Sequence, residues 1–391
     1  MTDEAAADAL PAGRRRLVLI ALFASVFAFG VSFGGLVPWI ALVLEGRGTD
    51  ETLIGVVSAA NPVGVLLAAP LVPLVVRRFG AADAMLLSGI VSVAAIALLP
   101  LFDSIAAWLV LRLISGLAGA VPWVVTETWI NAVAGDRMRG RVIAFYATIL
   151  AAGFVAGPVI LTIVGLEGLT PVVSFMVLQA AALIPILLVR AFSTDLGLAG
   201  TGGLAKLLLA MPVLLAAAFL AGAVDTAFFS FLPIWGTRSG LGETFAISLL
   251  SIFVAGNILM QVPLGWLADV VGYRRVMAGC GLACIIGPVL TLNSAGSPVL
   301  LAAVLFLWGG FAWGTYSVGL AALGRRFQGG ALAAANAAFI MSYTVANITG
   351  PPVAGLAIEL WNPDGLMVLM LALAAAFTLL LAVRGIMARG R

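Results

Sequence analysis

The chain of 391 residues has no histidine, two cysteines and little charge, with 9% Asp, Glu, Lys and Arg. A soluble domain carries about 25% charged residues. So little charge cannot cover a water-facing surface for a chain this long. Without histidine the commonest metal ligand is missing, as is the side chain that titrates near neutrality. Cys280 and Cys284 lie four apart in an apolar block, on one helical face, and read as small packing residues, not half of a metal site. The sequence has no nucleotide-binding loop, metal cluster or Ser/His arrangement, so neither an enzyme nor a cofactor or metal is expected. What the chain does have is apolar length: 63% of it is hydrophobic, with a mean hydropathy of +1.19. The apolar runs recur in blocks of about 20 residues, the length of a membrane-crossing helix. Lipid is the expected solvent.

Apolar runs bounded by charge or Gly/Pro clusters predict an all-α membrane protein of twelve transmembrane helices. They fall near 17–43, 52–75, 83–101, 104–131, 141–164, 170–190, 207–235, 244–268, 275–293, 298–322, 332–357 and 366–384. The basic residues fix the expected orientation. With the N-terminus inside, all Lys and Arg fall in cytoplasmic segments except Arg47 and Arg238 outside and Arg112 within a span. Both termini are then cytoplasmic, in a bacterial-type inner membrane. The pI of about 9.2 reflects topology, and no nucleic-acid partner is implied. The first block follows Arg14, Arg15 and Arg16 but runs past signal-peptide length, so it reads as a retained span.

The chain also repeats internally. Setting Glu51-Thr52 on Glu243-Thr244 brings Gly64 onto Gly256, Gly80 onto Gly272 and Met85 onto Met277; with a short gap Pro38 meets Pro233. Two six-helix bundles related by pseudo-symmetry follow, over residues 1–192 and 207–391. The Gly-, Ser- and Thr-richer stretch 193–206, with Asp195 and Lys206, is the expected cytoplasmic linker.

Gly265-Trp-Leu-Ala-Asp269-Val-Val-Gly272-Tyr-Arg274-Arg275 closely resembles the loop after the eighth span of the major facilitator superfamily. The resemblance covers nearly the whole chain. It implies that Asp269 latches the cytoplasmic side, near Arg141 at the start of the fifth span, where a helix N-terminus favours an anion. The equivalent N-terminal loop departs from the pattern, with Arg77 and Asp83 where acid and base are exchanged, and a reversed local pair between them is expected. Arg112-Leu-Ile-Ser-Gly116 resembles the motif of proton-coupled members. Gly153-Phe-Val-Ala-Gly157-Pro158 resembles a motif of antiporters, although Leu161 stands where a further glycine is expected. Thr126-Glu127-Thr128-Trp129-Ile130-Asn131 is similar to the YcaD-like branch.

An ionisable side chain facing lipid costs a few kcal/mol or more, so those within spans are functional candidates. Asp225 and Arg112 are expected at comparable depths, where they exchange a proton or a substrate. Desolvation favours the neutral carboxyl and a nearby cation the charged one, so alternating access would switch Asp225. Arg112, Gly116, Gly119, Trp123 and Glu127 recur at helical spacing, and Glu127 is a third candidate. A mixed cavity wall is expected from Phe228, Phe229, Trp308, Trp313 and Tyr316, with hydrogen bonds from Asn257, Gln261 and Asn347. Gly153, Gly157 and Pro158 serve close helix approach. Glu45, Glu51 and Glu359 read as solvated helix ends. The function expected is secondary active transport of a small molecule by a monomer in the bilayer, as proton-coupled export of an amphipathic compound. Uptake by proton symport or uniport, and lipid flipping, are the alternatives.

Overall fold

A computed structural model describes residues 11–133, 139–192 and 211–389. The expected linker 193–206 and Arg137 lie outside the described residues. Among those described there is no strand, and helices follow one another in the expected order. The first six spans are Ala12–Gly46; Glu51–Ala68 continued by Val72–Phe79; Ala81–Leu98; Ile105–Val133; Arg139–Val164; and Thr170–Ala181 continued by Leu183–Leu188. The last six are Pro212–Arg238, Glu243–Val271, Tyr273–Ser294, Pro298–Arg326, Gly329–Leu360 and Gly365–Arg389. Among the described residues, eleven of these, all but Gly329–Leu360, are long and apolar enough to cross a membrane by length and composition. That eleventh span carries Asn336, Ser342, Tyr343, Asn347, Pro351 and Pro352 along it.

The helix ends follow local chemistry. Pro212 and Pro298 start their helices, where a missing N–H costs nothing. Glu51, Asp83 and Glu243 lie in first turns, where the helix dipole favours an acid. Gly80 and Gly272 separate the second from the third and the eighth from the ninth spans at φ of 81° and 96°, a region that only glycine enters freely. They are the pair that the internal repeat superimposes.

The chain packs as two compact units, residues 1–39 with 60–200, and residues 40–59 with 201–391. This differs from a simple division at the linker, because the end of the first span and the start of the second pack with the later half. Glycine explains the close approach: a Cβ on Gly55 would overlap the Pro351 carbonyl, and one on Gly355 the Glu51 carbonyl. In the first unit Gly30 and Gly34 of the first span meet Gly153 and Phe154 of the fifth, backbone against backbone, and Gly157 lies against Val31 and Gly35. Both cysteines are free and buried, Cys280 beside Gly314.

Candidate functional site

In the second unit the seventh and eleventh spans cross at small residues. Gly222 faces the Tyr343 carbonyl and Gly350 faces Ala223. One turn beyond Gly222 this crossing puts Asp225, 6% exposed, opposite Tyr343. The Tyr343 hydroxyl donates to Asp225 Oδ2 at 2.6 Å, and Thr226 Oγ1 donates to Asn347 Oδ1 at 2.8 Å. Ser230 donates to the Thr226 carbonyl at 2.9 Å, so the polar side chains here are tied to one another. Tyr316 and Trp313 of the tenth span pack at an angle around Tyr343, with ring centroids 5.3 and 6.1 Å away, and Tyr316 packs on Phe339 at 4.9 Å. Asp225, Asn347, Trp313 and Tyr316 are thus brought together as one carboxyl-and-aromatic site. Tyr343 is the residue that sequence reasoning missed. Its signal was its rarity, as one of four tyrosines, and its place one turn before Asn347 in an apolar span.

Three expected wall residues belong elsewhere. Phe228 and Trp308, 1% and 2% exposed, pack edge to face at 5.0 Å and close on Phe253, with the indole seated over Gly287 of the ninth span. That seat buries Trp308 within its own unit. Phe229 is buried too. Gln261 donates to Asn257 Oδ1 at 3.0 Å along one helix, so these two pair with each other.

In the first unit the predicted stripe on the fourth span divides. Gly116 packs on the Asn61 backbone, Arg112 is 5% exposed and deeply enclosed, and Trp123 and Glu127 are exposed. Trp123 packs against Phe29 at 5.6 Å, and the Tyr146 hydroxyl donates to Glu127 Oε1 at 3.2 Å. Asn61 Nδ2 donates to Ser115 Oγ at 3.0 Å, beside Arg112.

The loop acids find other partners than expected. Asp83 pairs with Arg190 at the end of the sixth span, not with Arg77, because the third and sixth spans pack together with Gly89 making room for Leu183. Asp269 pairs with Arg325 in the last turn of the tenth span, where the eighth and tenth spans cross tightly at Gly256 and Gly309. Both partners of this pair are more than half exposed, where ion pairs contribute little. Arg274 and Arg275 are exposed beside it.

At the opposite end of the second unit is a denser charge cluster. Arg238 Nε lies 2.8 Å from Glu45 Oε1, its Nη2 2.5 Å from Glu51 Oε1, and its Nη1 donates to Asn362 Oδ1 at 3.2 Å. Glu359 accepts from the Thr52 N–H at 2.8 Å. These acids do not behave as free solvated ends: each ties residues 40–59 to the seventh or eleventh span.

Two pseudo-repeated six-helix sets, a buried acid facing an aromatic wall and an ion-pair cluster at one end define a polytopic membrane transporter. The Major Facilitator Superfamily model matches residues 20–249 and 214–388, and the chain belongs to that family, a family of transporters, not enzymes. It is YcaD-like. The chain is 25% identical over 351 residues to the MFS-type transporter YfkF of Bacillus subtilis (strain 168), covering 88% of each. It is 26% identical over 333 residues to YcaD of Shigella flexneri serotype 5b (strain 8401), covering 85% of this chain and 86% of that one. In fold it is similar to the nucleoside transporter NupG, with a TM-score of 0.75, 15% identity and coverage of 95% and 98%. The D-xylose-proton symporter gives 0.70, 15%, 94% and 96%.

Proposed function

We propose that the protein is a proton-coupled secondary transporter of a small amphipathic solute, working by alternating access, with Asp225 as the group that takes and releases the proton. The observation that carries this reading is the Asp225–Tyr343 contact: a carboxyl enclosed within the bundle with a neutral hydroxyl as its partner. A carboxylate with only a hydroxyl for support gains stability when protonated in a dry setting and loses its proton when water or a cation reaches it. Trp313, Tyr316 and Tyr343 offer aromatic faces to the solute, and Asn347 offers an amide. The proposed setting is an inner membrane with the Arg-rich turns and both termini inside, the protein acting as a monomer. In this orientation the Arg238 cluster lies on the outer side, where it would hold residues 40–59 in one state of the cycle and release them in the other.

Export is the proposed direction, on the resemblance of Gly153 to Pro158 to the antiporter motif. The alternative is uptake by symport, for which Asp225 serves equally and to which the fold likeness to a D-xylose-proton symporter lends a precedent. Proteoliposomes carrying a pH-sensitive dye test the proposal against a panel of amphipathic cations, neutral compounds, sugars and organic acids. A solute-evoked proton signal is expected in the parent protein and should be lost in a folded Asp225→Asn variant. Its sign separates antiport from symport. An undiminished signal in Asp225→Asn removes Asp225 from coupling.

A further inference from the structure

Within the first unit is a cavity of about 60 Å³ whose polar lining is Arg112, Ser32, Asn61, Ser92, Ser115 and Gln179. No carboxylate lines it. Arg112 Nε, Ser32 Oγ and Gln179 Oε1 are all buried without a hydrogen-bond partner. A guanidinium enclosed in a lipid-embedded bundle costs several kcal/mol unless a counter-charge meets it. Here that counter-charge is not supplied by the chamber's own side chains. Ser32 is a hydroxyl donor, and the Gln179 amide presents N–H groups when turned over, an orientation set by whatever it faces.

The fold does not require such a chamber. Gly116 packing on Asn61 in the first unit is repeated in the second by Gly309 packing on Phe253, and Gly64 against Leu113 by Gly256 against Phe306. At the second crossing the space is filled by the Phe228, Phe253 and Trp308 rings, with centroids 4.7 to 6.0 Å apart. At the first crossing polar side chains surround an opening. Gly119 lies on its wall, and a Cβ there would meet nothing within 4 Å, so a larger side chain has room to enter.

We propose that this chamber binds a small monoanion, with Arg112 as its counter-charge and Ser32 and Gln179 as flanking donors. The volume, several times the roughly 10–15 Å³ that one water needs, suits a small anionic group such as a halide, nitrate or a carboxylate. The anion is either a dissolved inorganic ion or the carboxylate end of the transported solute. The proposal does not depend on Asp225 coupling, because binding is measured at equilibrium without transport.

Thermal unfolding of the purified protein in an uncharged detergent tests it, with chloride, nitrate, formate or acetate replacing a bulky sulfonate at constant ionic strength. A saturable rise in Tm is expected, with the apparent affinity weakened about tenfold or more in Arg112→Gln and retained in part in Arg112→Lys. Gly119→Val, which fills the chamber and leaves the charge in place, should lose the effect as well. Saturation by chloride and nitrate alongside formate identifies an inorganic ion. Saturation by formate and acetate alone identifies a solute carboxylate. Absence of a saturable effect in the parent protein overturns the proposal, as does an undiminished one in Arg112→Gln. Should Arg112→Gln not fold, Gly119→Val decides, and parent-like binding in it overturns the proposal.

Discussion

Single residues divide here into those that shape helix contacts and those that carry chemistry, and glycine shows the division best. Gly116 belongs to the motif shared with proton-coupled transporters, yet its position is explained by sterics, since a Cβ would overlap the Asn61 carbonyl oxygen. Gly265 belongs to the loop motif, yet a Cβ there would meet nothing within 4 Å. Gly116→Ala should therefore cost about 1–3 kcal/mol through overpacking. Gly265→Ala should be neutral or mildly stabilising, because alanine favours a helix by about 1 kcal/mol over glycine. Melting temperatures in detergent distinguish the two, and equal losses would contradict this account. Asp225 and Arg112 were legible as candidates because a charge inside an apolar run has no cheap reason to be there. Their partners were not legible. Tyr343 is far from Asp225 in sequence and meets it only because Gly222 lets the eleventh span approach the seventh.

Between helices, ion pairs depend on which spans touch, and the sequence spacing misled. Arg77 and Asp83 are close in the chain, but the third span offers Asp83 to Arg190 on the sixth. Glu45 and Glu51, which look like ordinary helix ends, share Arg238 with less than a quarter of each side chain exposed. Removing that guanidinium leaves two carboxylates facing each other in a half-buried setting. Arg238→Gln should weaken the attachment of residues 40–59 by on the order of 1.5–3 kcal/mol, the range for hydrogen bonds to charged groups. Faster hydrogen exchange at the backbone amides of Leu44 to Ile54 is the expected readout, with the Asp225 region unchanged. Unaltered exchange there would show that the glycine contacts at Gly55 and Gly355 alone hold the segment.

For the whole molecule, the proposed topology has twelve spans with the arginine-rich turns and both termini inside. A fluorescent-protein fusion at the C-terminus should then fluoresce in cells, and an alkaline phosphatase fusion at the same point should be inactive. The reverse pattern would invert the proposed orientation and move the Arg238 cluster to the inner side. Composition, span length and the repeat of Gly64 on Gly256 and Gly80 on Gly272 were enough to determine an all-helical membrane protein of two related halves. They suffice because the demand that every backbone N–H and C=O in lipid be paired within its own helix acts locally, residue by residue. Which polar groups meet was decided by tertiary structure. The same glycine crossing encloses Asn61, Ser115 and Arg112 in one unit and a dry cluster of Phe253 and Trp308 in the other. Contacts of this kind depend on helix rotation and approach distance, which pair residues far apart in the chain and are not fixed by the periodicity of any one helix.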